Sequence, residues 1–391
     1  MQHPHPTLFA FGSNGSGQLG LGHDEDVSSP TKCLFEEEAE NADTPSSRER
    51  ESDNRSDSGG GCGVSRIVAG GNHTLILLND GRVYAAGWNG DGRCGARPDF
   101  EGSVSNSLDR FRRLVVQDAG TGRVEDRFKG VSATWEGTAL VASDGDGVFI
   151  LGSGAKGELG LGPETVRSTT ATRIPNFPPQ GTNVVSIVSG MGHTVVVLSN
   201  GAVYGWGAAR KGQLGNAMVS EKIVWSPVRI EGVPFAVSEA ACGREFTVLC
   251  GDKDAGEFVV FGASGNKWNI LSGVPGSEDV KGYLKIDASW HGVYVHRNDF
   301  SVLAWGRDDR GQLLSGDFGR AREVAVGSEH VVALREDRTV VAFGWGEHGN
   351  CGPDTDAQGN AKGTGSGIPL PEGIEVVGAG AGCATSWIIA S

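Results

Sequence analysis

The chain has 391 residues and a formal charge of −14, which argues against a protein whose main work is neutralising nucleic-acid phosphates, because that term supplies most nonspecific affinity for them. Glycine fills 63 positions, about 16% against a usual 7% or so, and this points to many tight turns and away from long helices. Phe, Trp, Val, Ile and Leu remain plentiful, which excludes a largely disordered chain.

The opening MQHPHPTLFAF has neither the charged nor the apolar region of a signal peptide. No run approaches the 18 or so apolar residues of a membrane span. The cysteines at 33, 62, 94, 242, 250, 351 and 383 are odd in number and contain no C-x-x-C or paired Cys/His spacing. They read as reduced thiols in a soluble cytosolic or nuclear protein that needs no metal or other cofactor.

After the strand-like TLFAF comes GSNGSGQLG, residues 12 to 20, where Gly15-x-Gly17-x-x-Gly20 has the spacing of a dinucleotide-binding loop. The following LGLGHDEDVSSPTKC lacks the helical period that would hold a pyrophosphate at a helix N-terminus. The same spacing recurs at 90–95, 152–157 and 344–349 and slides within a larger unit. These glycines are therefore turns of a repeat. From about 36 to 61, EEEAENADTPSSRERESDNRSDSGGG has almost no apolar residues and reads as a disordered loop.

The repeat then dominates. AGGNHTLILLNDGRVYAAGWNGDGRCG from 69 is followed by related stretches from 132, 189, 241, 288 and 326. Each is a small-residue turn, an apolar strand, a two-residue turn, a second strand ending in a Gly, and a Gly-rich loop. Asp80-Gly81 and Asn200-Gly201 are strong hairpin signals because a type I′ turn needs positive φ at both central positions. Between copies, Arg110, Arg112, Arg113, Arg123, Arg127 and Lys129 alternate with Asp109, Asp118, Glu125 and Asp126, which reads as a mixed solvated surface. A second Gly-rich loop is expected near 354 to 367.

The C-terminal AGAGCATSWIIAS supplies only the first half of a seventh copy, and TLFAFGSNGSGQLGLG at the start supplies only the second. Joining them closes a ring without leaving an open sheet edge. The expected fold is an all-β, seven-bladed β-propeller, a single domain over 1–391, with about four strands per blade. EVVGAG, SRIVAG and VVSIVSG read as the approach to each inner strand.

The unit xxGxxHTxxLxxDGxVYxWGxNxxGQLG resembles the regulator-of-chromosome-condensation propeller family over nearly the whole chain. The founding activity of that family is guanine-nucleotide exchange on the small GTPase Ran, and other members are ubiquitin ligases or scaffolds, so fold does not fix function. Partner contacts in the family often come from the turn before the repeated His-Thr. Those turns read here Gly71-Asn72, Trp135-Glu136, Met191-Gly192, Arg244-Glu245, Trp290-His291, Ser328-Glu329 and Ala381-Gly382. The exchange factors resemble one another in carrying acidic residues and histidines there; no Asp appears in any of these turns, and only six residues precede the first strand, with no basic tail.

WGEHGNCG at 345–352 is similar to the fungal alpha-tubulin-suppressor subgroup. That resemblance implies a noncatalytic partner of a small CSL-type zinc-binding protein, supporting diphthamide synthesis on elongation factor 2 and Elongator-dependent wobble-uridine modification of tRNA, with no direct contact to nucleic acid or membrane. Exchange on a Ran-like small GTPase is the alternative. No G-x-S-x-G, H-E-x-x-H, Walker loop or spaced carboxylate pair suggests an enzyme.

Trp135 and Trp290 replace small residues at turns expected to face solvent, where tryptophan suits an interface anchor; packing under a neighbouring loop is the other reading. With Glu136, Met191, Arg244, Glu245 and His291 they span blades two to five on one face, and Glu329 continues it. Trp345 and His348 form a second candidate patch. His73, His193 and His330 share one repeat position and read as structural, bonding a neighbouring backbone group, with Gly137, Phe246, Gly292 and Cys383 as their equivalents. Trp206, Trp305, Phe11, Phe261 and Phe343 read as inter-blade core.

Overall fold

The computed structural model describes residues 5–37, 63–95, 106–263, 265, 267–314 and 318–391. Seven antiparallel sheets follow one another as the blades of a propeller. Blade 1 comprises Val64–Ala69, His73–Leu78, Val83–Trp88 and Ser107–Leu114; blade 2, Phe128–Ala133, Gly137–Ala142, Val148–Ser153 and Arg167–Arg173. Blade 3 comprises Val184–Ser189, His193–Leu198, Val203–Ala208 and Ile223–Arg229; blade 4, Glu239–Cys242, Phe246–Cys250 and Phe258–Gly262. Blade 5 comprises Tyr283–Ala288, Gly292–Arg297 and Val302–Gly306; blade 6, Ala321–Val326, His330–Arg335, Val340–Trp345 and Asn360–Gly367. Blade 7 takes Val376–Ala381 and Thr385–Ala390 from the C-terminal end and Thr7–Gly12 and Val27–Lys32 from the N-terminal end.

The closing pair runs in unbroken register from Thr7↔Ala390 to Gly12↔Thr385. Trp387, fully buried in that seam, packs in one cluster with Leu8, Ala10 and Ile76, so closure also joins blade 7 to blade 1. The stretches SRIVAG, VVSIVSG and EVVGAG contain the inner strands themselves. They line a central channel of ≈ 1110 Å³, and the strands expected to be innermost are the second of each blade. Blades 4 and 5 have three strands rather than four among the described residues. After blade 4's third strand the chain carries a Gly- and Pro-containing loop and a single helical turn, Ser277–Val280. Within the stretch expected as a second Gly-rich loop, Asn360–Gly367 forms the outer strand of blade 6. Residues 38–61 of the acidic insert lie outside the described residues.

The aromatic before each blade glycine belongs to the core. Trp206 is fully buried, meets Phe177 edge-on at 5.9 Å, and donates its indole N–H to the Glu158 carbonyl at 2.9 Å. Trp305 donates to the Ile270 carbonyl at 3.1 Å, while Phe11 and Phe343 are fully buried and Phe261 partly so.

The repeated histidines bind the blades to one another. His73 Nε2 lies 3.0 Å from Thr138 Oγ1 of blade 2, His193 Nε2 2.9 Å from Thr247 Oγ1 of blade 4, and His330 Nε2 2.9 Å from Ser386 Oγ of blade 7. Each hydroxyl donates onward to a loop carbonyl of the histidine's own blade, Arg93, Gln213 or Asn350. The hydroxyl's single proton is thereby used, and Nε2–H must be the donor. The partner is thus a side chain of the next blade, where sequence reasoning expected backbone. Burial pushes His73 down to about 3 and His193 and His330 to about 4, so all three stand neutral.

On the opposite edge the mixed charges pair locally: Arg113 with Asp126 at 2.8 Å, Arg123 with Glu125 at 3.0 Å and Arg127 with Asp80 at 3.1 Å. The stretch is not solvated throughout, as its alternation suggested, because Asp118 and Glu125 are buried, Asp118 against Arg173 at 3.2 Å.

Candidate protein-binding face

Seven short turns, each between an inner and a second strand, ring one mouth of the channel, and a glycine sets each of them. The blade glycines Gly12, Gly87, Gly152, Gly207, Gly262, Gly306 and Gly344 all have positive φ. A Cβ at Gly87 would lie 2.3 Å from the Asn72 carbonyl oxygen, and the other six meet the corresponding turn carbonyl at 2.3 to 2.5 Å. The amide after each glycine donates to that same carbonyl, as Trp88 does to Asn72 at 2.7 Å and Ser13 to Ala384 at 2.8 Å. Only glycine both adopts this backbone and leaves the space.

This contact also corrects the seventh turn. Its carbonyl is that of Ala384, so the turn is Cys383-Ala384, and Thr385 stands where the other blades carry His73 or Phe246. Ala381 ends the inner strand.

Backbone bonds link neighbouring turns in two arcs. The Gly71 amide donates to Trp135 and the Trp135 amide to Met191; on the other side Arg244 donates to Trp290, Trp290 to Ser328, and Ser328 to Gly382, all at 2.8 to 3.0 Å. Trp135 and Trp290 are therefore held on fixed backbone although they sit in turns. Their rings lean inward from blades 2 and 5 and meet over the channel, centroids 5.8 Å apart and planes 46° to one another. Trp135 also rests on Gly71, where a Cβ would come within 2.7 Å of the indole. The rings thus pack on each other and on Gly71, where sequence reasoning weighed packing under a neighbouring loop, and Trp135 remains 37% exposed.

The Arg244 guanidinium lies 5.5 Å above the Trp290 ring and is itself exposed, as is Glu245. Glu136 lies 3.6 Å from Arg93, whose guanidinium is already bonded to Asp91 at 2.7 and 2.8 Å.

Glu329 differs from the acidic contact residue expected of it. It is buried, with Oε1 2.6 Å from His291 Nδ1 and 3.1 Å from Arg307, and Oε2 2.9 Å from the Gln312 amide. Burial alone would raise its carboxyl; the His291 and Gln312 bonds, with the His291 and Arg307 charges, outweigh burial and hold it below the usual range. Glu329 is therefore engaged within the chain, with His291 held beside it.

The residues of the second candidate patch lie together at the loop of blade 6. Trp345 and His348 meet edge-on at 5.5 Å, Trp345 donates to Glu347 at 3.1 Å, and His348 lies 2.9 Å from Asp26 of blade 7. Between the patches stands Trp268, which sequence reasoning did not single out. Its ring is 5.9 Å from His291, with Arg307 at 4.7 Å and Lys267 at 4.6 Å from its centroid. It sits in GASGNKWNIL, where the repeat departs most from its usual form.

His73, His193 and His330 serve three different blade interfaces and do not converge. Among the described residues no three His, Cys, Asp or Glu side chains are placed to hold a metal ion.

The sequence of residues 7–388 matches the profile of the RCC1-like domain. The chain is 29% identical to an RCC1 repeat-containing protein of Schizosaccharomyces pombe, over 98% of both chains. It is 27% identical to the Secretion-regulating guanine nucleotide exchange factor of Bos taurus, over 96% of this chain and 82% of that one. Among solved structures, Prp20p of Saccharomyces cerevisiae superposes with a TM-score of 0.72 at 17% identity, covering 99% of this chain and 92% of its own. Human WBSCR16 gives the same score at 18% identity over 98% and 100%. With the closed seven-blade ring and its repeated turn glycines, these likenesses place the chain in the RCC1-like domain family.

Proposed function

We propose that the protein works by binding another protein across the mouth that carries Trp135, Trp290 and Arg244, and that the partner is a small GTPase whose guanine nucleotide it helps to release. The observation that carries the reading is the packed Trp135–Trp290 pair on that face, since a rigid, half-exposed aromatic pair flanked by arginine has the composition of an interface hot spot. The bovine relative named as a guanine nucleotide exchange factor, similar over 96% of this chain, supplies the partner class. Such a function needs no covalent chemistry, because exchange requires only that the propeller bind the nucleotide-free GTPase better than the loaded one.

The second reading keeps the same face with another occupant, a small CSL-type zinc protein acting in diphthamide synthesis and Elongator-dependent tRNA modification. WGEHGNCG favours it, through the Trp345–His348 patch it contains. One experiment separates the two. Purified propeller is mixed with a panel of small GTPases carrying fluorescent GDP, and separately with the zinc protein. Nucleotide release that accelerates with propeller concentration supports the first reading. A stable one-to-one complex with the zinc protein, without accelerated release from any GTPase, replaces it with the second.

A further inference from the structure

Among the described residues, three cations stacked on tryptophans of this face have no counter-ion. Arg244 lies over Trp290 at 5.5 Å, Lys267 over Trp268 at 4.6 Å, and Arg310 over Trp345 at 5.5 Å. Among the described residues no carboxylate is within ion-pairing distance of any of the three. Arg307, by contrast, is fully engaged, with Asp309 at 2.5 and 2.9 Å and Glu329 at 3.1 Å. The neighbouring carboxylates are likewise taken: Asp309 by Arg307, Glu329 by His291, Glu347 by Trp345 and Asp26 by His348. Glu245 beside Arg244 and Asp308 near Arg310 are exposed exceptions, the Asp308 carboxylate accepting the Leu313 amide at 3.0 Å. The band therefore presents indole faces, each bearing a cation, on a chain whose overall charge is −14.

An ammonium or guanidinium held over an indole keeps its outer side hydrated and open to an anion, and the ring fixes its position beforehand. Desolvating such a cation against an apolar or basic partner would leave it unpaired and would cost affinity. A carboxylate would instead complete a ring–cation–carboxylate stack. We propose that this face recognises an acidic segment of its partner, with side-chain carboxylates seated on Arg244, Lys267 and Arg310 and apolar side chains of the same segment packed on the tryptophans beneath. This rests on the reading of the face as a protein-binding surface, and it specifies the chemistry the partner brings.

The test uses the full-length protein and a fluorescein-labelled peptide of alternating acidic and aromatic residues, with a counterpart in which lysine replaces every acid. Anisotropy should show binding of the acidic peptide, weakening with salt, and no comparable binding of the basic one. The triple variant Arg244→Gln, Lys267→Gln, Arg310→Gln should bind the acidic peptide about tenfold more weakly, a size typical of losing several partly exposed charge pairs, with the wild-type melting temperature retained. Equal binding of both peptides, or a folded triple variant with undiminished affinity, would overturn the proposal. Because no GTPase takes part, the peptide result stands or falls independently of the nucleotide-release assay: acidic-peptide binding together with no accelerated release from any GTPase would remove the GTPase reading and leave this one standing.

Discussion

Lowering the pH should loosen the ring through His73, His193 and His330, by an amount that can be worked out. In the unfolded chain each imidazole titrates near 6.5; in the folded protein burial holds His73 at about 3 and the other two at about 4. Between those values the unfolded state binds protons that the native state refuses. Stability is therefore full above the unfolded value and falls as pH drops through it, until the folded values are reached. At pH 5 the unfolded state gains about 2 kcal/mol per histidine, about 6 kcal/mol for three, a large part of a typical folding free energy. Glu239 and Glu323, whose carboxyls burial raises, act in the opposite direction over part of this range. The informative quantity is hence the difference between wild type and a variant that keeps them. The triple variant His73→Gln, His193→Gln, His330→Gln retains a donor toward Thr138, Thr247 and Ser386 but cannot titrate. Urea unfolding at pH 7 and pH 5 should show a variant less stable than wild type at pH 7 yet flatter in its pH dependence, by about 2 kcal/mol for each histidine replaced. Parallel pH profiles for the two proteins would refute the neutral, blade-linking role.

Gly87→Ala sets a methyl 2.3 Å from the Asn72 carbonyl on a backbone with φ of 108°, and should cost at least about 2 kcal/mol in a urea titration. Removing residues 385–391 takes away Trp387 and the strand that pairs with Thr7–Gly12; loss of the cooperative unfolding transition by circular dichroism is expected, and an unchanged melting curve would contradict ring closure. Trp135→Ala with Trp290→Ala should weaken partner binding by about 2 kcal/mol, roughly thirtyfold in Kd, in a ring that still melts cooperatively. Undiminished affinity in that folded double variant would remove the pair from the interface.

Much of the architecture was legible because the repeat writes the same physical requirement seven times. Asp80-Gly81 and Asn200-Gly201 mark hairpins, and each blade glycine marks a carbonyl that passes too close for any side chain. The split seventh copy gave closure for the same reason. What the sequence hid lacks such marks. The turn at Cys383-Ala384 sits in AGAGCATSW, where small residues offer no side-chain signal to fix the register, so only its pairing with Gly12 places it. Asn360–Gly367 reads NAKGTGSG, poor in strand formers, and is a strand because Val340–Trp345 offers it an edge. The candidate face was legible as a list of turn residues. Its geometry was not, since the contact between Trp135 and Trp290 joins blades 2 and 5 across the channel, and the burial of Glu329 depends on Arg307 and Gln312 from a different loop.

The most direct test of the central claim is hydrogen exchange on the protein alone and on the complex recovered with its native partner. The account predicts new protection in the turns at 134–136, 243–246 and 289–292 and in the loop around Trp268, all at one mouth of the channel. Protection confined to the opposite mouth, around the hairpin turns at 79–82 and 199–202, would contradict it.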